Sequence, residues 1–131
     1  MSFEVASRKG LAILLWAAEP KSPHLLATPF WHAAAAAAMD LEVEVYFTAR
    51  SVHLLIPGVA EQLMVDVTGM HSAWSSMKNA LNQGARFLAC QQALNAQGLT
   101  DSRLRPECSG HGGSVQFMAR AVDPLWATLV Y

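Results

Sequence analysis

Residues 86–99 read RFLACQQALNAQGL, a short apolar run that ends at a cysteine where a polar, helix-forming segment begins. Phe87, Leu88 and Ala89 have the character of a core strand, and Gln91 to Gln97 that of a short helix stopped by Gly98. Cys90 then falls at a helix N-terminus, where unpaired backbone N–H groups and the positive end of the helix dipole favour an anionic, nucleophilic sulfur. The same position is where a core closes, and free cysteine is commonly a small apolar filler. Nucleophile and filler both stay open on spacing alone.

Outward from this segment the chain alternates strands and helices. Leu11 to Ala17, LAILLWA, is continuously apolar, as in a strand buried on both faces and central in a parallel sheet. After a loop with Glu19, Pro20, Lys21 and Pro23, Thr28 and Pro29 open a helix through FWHAAAAAAMD, which alternatively starts near Ser22 with Pro29 inside it. Alanine on every face from Ala33 to Ala38 permits close packing against the sheet or a partner subunit. Glu42 to Thr48, EVEVYFT, reads as the second strand, and Arg50 to Ile56 as a short helix stopped by Pro57 and Gly58.

Val59 to Met70 carries the weakest pattern, with Gln62 to Val67 open between strand and loop. Ser72 caps a helix that presents Trp74, Met77 and Leu81 on one face and stops at Gly84, directly before the strand that ends at Cys90. Arg103 to Cys108 adds a brief strand or turn, and Ser109 to Gly113, SGHGG, reads as a flexible stretch. Val115, Met118, Ala119 and Val122 share one face of a helix ended by Asp123 and Pro124, and Leu125 to Tyr131 is the last strand. The pattern predicts a single α/β domain over residues 1–131, three layers around a mainly parallel sheet of about five strands. In such sheets ligands gather at the C-terminal strand ends, where Cys90 lies.

Composition narrows the functional classes. Of the residues 53% are hydrophobic and 15% charged, so a sizeable apolar area is expected to be covered by other copies of the chain. Nine basic and ten acidic residues, spread along the chain, form no patch for nucleic acid or anionic lipid. Leu25 to Met39 is too short and too interrupted to span a membrane, and MSFEVASRKG with the apolar run after it does not read as a signal peptide. Two cysteines without disulfide or zinc spacing point to a reducing cytoplasm.

Cys108 and His111 form a Cys-x-x-His pair next to the Gly-rich turn, too few ligands for a structural metal. Cys108 is read as a loop cysteine without a special role, with a resolving thiol for Cys90 left open. Lys21 lies after the first strand, where a cation would attract an anionic sulfur donor or simply be solvated. His32 reads as a packed or interface histidine, and His24, His53 and His71 share no ligand spacing. Trp16, Trp31, Trp74 and Trp126 read as core or interface aromatics. No Ser-His-Asp order, carboxylate pair or nucleotide loop stands out.

The apolar first strand, HAAAAAAMD leading into LEVEVYFT, RSVHLLIPG, GARFLACQQALNAQGL and GGSVQFMARAVDP together resemble the DsrE/DsrF-like family of sulfur-relay proteins nearly end to end. The resemblance implies a cytoplasmic, flavodoxin-like fold assembled as trimers or hexamers. It further implies that Cys90 accepts sulfur as a persulfide or thiosulfonate and passes it to another protein, with donor and acceptor proteins or small sulfur anions as partners. Backbone N–H groups of Gln91 and Gln92 are the expected anion stabilisers, with Cys108, His111 and Lys21 as possible accessories. Such chemistry requires no metal or organic cofactor. The loop AEPKSPHLLATP also lacks the Ser, Thr and Gly run that would cradle a flavin phosphate. The rival classes are a non-catalytic oligomeric binding or scaffold protein with a packed Cys90, and a thiol redox sensor using Cys90 with Cys108.

Overall fold

The computed structural model describes residues 7–131, so the start of the segment read as unlike a signal peptide, residues 1–6, lies outside the described residues. Five parallel strands form one sheet: β1 (Gly10–Leu15), β2 (Glu42–Phe47), β3 (Arg86–Ala89), β4 (Cys108–His111) and β5 (Trp126–Val130), in the order β4-β3-β2-β1-β5. The register sets Ile13 beside Val45 and Val45 beside Phe87, so the apolar strand segments lie abreast. β1 is buried on both faces as its sequence requires, but β2 holds the middle of the sheet. Two further strands are added beyond β2, against one beyond β1.

Right-handed crossovers decide which layer each helix enters. Connections running from β1 towards β4 put α1 (Thr28–Ala38), α2 (Ala73–Gln83) and α3 (Gln91–Ala96) on one side of the sheet. The single return from β4 to β5 puts α4 (Ser114–Ala121) on the other, against β5 and β1. The larger core lies under α1 and α2, where Phe30, Phe47 and Phe87 meet at centroid distances of 5.0 to 6.1 Å. Buried alanines of α1 let α2 approach closely. On the α4 side the core is small: Ala12, Tyr46, Leu88 and Trp126, with Leu14 and Phe117 against them.

Local signals act largely as read. Pro29 opens α1; Ser72 accepts the N–H of Ser75 at 3.1 Å to cap α2; and Gly84, at φ 113°, takes the left-handed turn that ends it. Ala49–Leu55 is a 3₁₀ segment rather than an α-helix. The Ser51 hydroxyl donates to the carbonyls of Leu15 and Thr48 at 2.8 and 2.7 Å and holds the turn tight. In residues 59–72 regular secondary structure is limited to a 3₁₀ turn, Ala60–Gln62, and a single bridge between Met64 and Ser72. The Asp66 carboxylate accepts from the Thr68 hydroxyl, the N–H groups of Met70 and His71, and the His71 ring, closing a loop where a strand was the alternative.

One expectation changes, that of a flexible stretch at Ser109 to Gly113. Ser109 to His111 belong to edge strand β4, because β3 needs a partner on its outer side and Gly110, at φ 152°, follows the register irregularity there. Trp16 lies beyond the end of β1 and is 58% exposed; Trp31, on the outside of α1, is 57% exposed, whereas Trp126 is core. Val115 on α4 and Val122 at its C-cap point away from the sheet, 87% and 75% exposed, since Phe117 and Arg120 occupy the inner face, and Met118, 54% exposed, lies at the edge between the two. Among the described residues no helix is long and apolar enough to cross a membrane.

Candidate functional site

Cys90 follows the last residue of β3 and is the N-cap of α3. Its N–H donates to the Phe47 carbonyl at 2.9 Å, extending the β2–β3 ladder, and its carbonyl accepts from Leu94 N–H at 3.0 Å, the first turn of the helix. Both ends of the residue are thereby fixed. Cys90 as a whole is only 6% exposed, yet it borders two clefts at the C-terminal edge of the sheet.

The first cleft, about 250 Å³, lies under the start of α4 and is lined by Leu14, Tyr46, Thr48, Phe117 and Met118. The second, about 470 Å³ and more open, is lined by Gln91, Gln92, His111 and Gln116 among others. Gly112, Gly113 and Ser114 form the wall common to both, so Cys90 sits on the divide. Gly112 has to be glycine: its N–H bonds the Ala89 carbonyl at 3.0 Å. A Cβ there would come within 2.8 Å of Tyr46 Cε1 and 2.9 Å of Leu88 Cβ. The Gly-Gly pair brings the chain down onto the sheet just before α4 starts.

The structure gathers some of the sequence candidates and leaves others apart. Gln91 and Gln92 open α3 beside Cys90, and first-turn N–H groups of a helix have no intrahelical acceptor. His111 reaches the same cleft, its ring paired with Asp101 at 2.8 Å on the rim. Cys108 lies elsewhere, opposite Phe87 in the β3–β4 register, and Phe87 is three residues and roughly 10 Å of strand rise before Cys90. It is half-buried against the larger core in a strand, not a loop, and burial pushes its thiol pKa up. Lys21 is exposed in the turn after β1, its N–H held by Glu19 at 2.9 Å, and it lines neither cleft.

A buried polar network that the sequence reading passed over supports the first cleft. Glu44 is 3% exposed; its carboxylate accepts from the Tyr46 hydroxyl at 2.7 Å and from Arg120 Nε and Nη2 at 2.8 and 3.0 Å. The Arg120 guanidinium also lies over the Trp126 ring, 4.1 Å from its centroid. Burial pushes the Glu44 carboxyl up. The hydrogen bonds from Arg120 and Tyr46, with the charges of Arg120 and Arg86, outweigh it and hold the group below its ordinary value. Burial, and then Glu44, push Tyr46 up to about 12, so it stays a neutral donor. The network fastens α4 to the sheet and fixes the Tyr46 ring, which meets Phe117 edge-on at 5.5 Å. Its trace in the sequence is the glutamate two residues before Tyr46 in an otherwise buried strand, with an arginine on the last helix.

The sequence profile of the DsrE/DsrF-like family matches residues 12–122. No curated protein matches the chain at a significant level. Among solved structures, the ychN protein from E. coli superposes with a TM-score of 0.70 at 11% identity, covering 93% of this chain and 99% of that one. The protein of unknown function MTH1491 from Methanobacterium thermoautotrophicum superposes with a TM-score of 0.64 at 18% identity, covering 92% and 97%. These two likenesses are of fold.

Proposed function

This chain belongs to the DsrE/DsrF-like family, and from that premise we propose that it carries sulfane sulfur on Cys90 in a sulfur relay, as a persulfide or thiosulfonate. The observation that supports this most is the position of Cys90, fixed at a strand end and bordering two clefts at once. With a persulfide donor R–S–SH, the Cys90 thiolate attacks the terminal sulfur and the donor S–S bond breaks. R–S⁻ leaves, and Cys90–S–SH is formed. An acceptor thiolate then attacks the outer sulfur and returns Cys90 as thiolate. The first-turn N–H groups of Gln91 and Gln92 stabilise the anionic sulfur. No cofactor takes part, and the chain is a carrier rather than a multiple-turnover enzyme.

The partners are sulfur donor and acceptor proteins or small sulfur anions, in the cytoplasm. Assembly as a homotrimer or homohexamer covers the outward apolar face of α4 together with Leu125, Leu129 and Val130, and shields the sulfur adduct from water. One observation favours a second reading, an oligomeric binding or scaffold protein: the low exposure of Cys90 suits a packed filler. A Cys90–Cys108 redox sensor requires β4 to leave its register.

Intact-protein mass spectrometry after incubation with thiosulfate, polysulfide or a persulfidated donor separates these readings. The carrier gains sulfur in the wild type and in Cys108→Ser, and not in Cys90→Ser. Folded protein without any Cys90-dependent adduct turns the assignment to the scaffold.

A further inference from the structure

The two clefts beside Cys90 differ in chemistry, and the difference bears on the donor. The first is walled by Leu14, Tyr46, Phe117 and Met118, with Thr48 and Ser114 as its polar side chains apart from the tyrosine hydroxyl. Among the described residues no lysine, arginine, aspartate or glutamate lines it. The Tyr46 hydroxyl is engaged by Glu44, whose own charge is met by both Arg120 nitrogens behind the ring, so the network presents the cleft with an aromatic wall and no free charge.

Volume points the same way. One added sulfur takes up roughly as much room as a water molecule in the liquid, ~30 Å³. The cleft holds about 250 Å³, and an apolar cavity of roughly 150 Å³ is enough to bind benzene. The space at Cys90 therefore accommodates a small organic group as well as the transferred atom.

We propose that this cleft seats the apolar organic group of a low-molecular-weight persulfide donor, R–S–SH, and selects against donors whose R group is anionic. The inference rests on the carrier reading of Cys90 and adds a substrate class to it. R lies between Tyr46, Phe117, Leu14 and Met118, which sets the terminal sulfur against Cys90. The Cys90–S bond forms as the donor S–S bond breaks, and R–S⁻ leaves and takes up a proton from water. An anionic R loses hydration in the same place with no cation to replace it.

The test loads the full chain with benzyl persulfide or with the persulfide of 2-mercaptoethanesulfonate, two donors that differ only in R. The rate of gain of one sulfur on Cys90 is followed by intact mass spectrometry. Benzyl persulfide is expected to load the wild type about tenfold faster, the effect of one unpaired, partly desolvated charge. Ser114→Lys and Met118→Lys, each placing a cation at the cleft, are expected to narrow or reverse that ratio. Retained melting temperature and sedimentation verify both variants, and either one suffices. Equal or faster loading by the sulfonate donor, or an unchanged ratio in a folded lysine variant, overturns the donor assignment while Cys90-dependent loading leaves the carrier intact. Failure of both donors, and of thiosulfate and polysulfide, to load Cys90 overturns the carrier reading and this inference together.

Discussion

Replacing Glu44 with glutamine tests whether the buried network holds α4 over the Cys90 clefts. Three hydrogen bonds converge on the carboxylate, one from Tyr46 and two from Arg120, between 2.7 and 3.0 Å. Glutamine keeps the shape and one acceptor but turns an NH₂ group towards donors, losing one to two bonds to a charged group worth about 1.5–3 kcal/mol each. The Arg120 side chain is 30% exposed, so water recovers part of the loss and the net cost is about 2 kcal/mol. An unfolding entropy of ~2.1 cal/mol/K per residue over 131 residues converts this to a fall in Tm of about 7 °C.

The pH dependence has a definite sign. The Glu44 pKa is lowered in the folded protein, so its contribution is fully present above the ordinary value of 4.5 and is lost as pH falls through the lower folded value. The gap in Tm between wild type and Glu44→Gln is therefore constant from neutral pH down to about 5 and shrinks in more acidic buffer. Thermal melts followed by circular dichroism at a series of pH values measure both quantities. A variant that melts within about 2 °C of wild type at pH 7, or a gap that does not narrow in acid, refutes the assignment of the network as the fastening of α4.

Gly112→Ala forces a methyl group against Tyr46 and Leu88 Cβ and is expected to cost about 1–3 kcal/mol in a denaturant titration, with slower sulfur loading of Cys90 as the common wall shifts. Burial raises the Cys108 thiol, so its alkylation by iodoacetamide, followed by peptide mapping, is slow near neutrality and still rising beyond pH 9.0. Val115→Asp combined with Val122→Asp puts charge on the exposed face of α4, and sedimentation velocity is expected to show a smaller species than the wild type. An unchanged sedimentation coefficient removes that face from the subunit contact.

What was legible in the sequence follows from the range of the forces involved. The unbroken apolar run of β1, the Ser72 cap, the Gly84 stop and the strand-to-helix junction at Cys90 are encoded within a few neighbouring residues, so periodicity and capping chemistry suffice to place them. The same locality put Cys90 at a C-terminal strand end, where a parallel α/β sheet gathers reactive groups. The family pattern is likewise a property of the linear order, and the DsrE/DsrF-like match spans residues 12–122.

Tertiary structure alone decided which side of each element faces what. The stripe Val115, Met118 and Val122 has the spacing of a core-facing helix, but Val115 and Val122 turn outward and Met118 reaches only the rim of the cleft, because Glu44, 76 residues away, binds Arg120 on the opposite face. Cys108 and His111 are close in sequence, yet β4 carries one to the core side beside Phe87 and the other to the cleft beside Cys90. The apolar cleft is assembled from β1, β2, the end of β3 and the start of α4, four segments brought together only when the chain recrosses the sheet to lay β5 beside β1. Local sequence specifies backbone conformation through neighbours along the chain. The chemistry around a reactive sulfur depends on neighbours in space, and those are set by strand order and by which face a crossover takes.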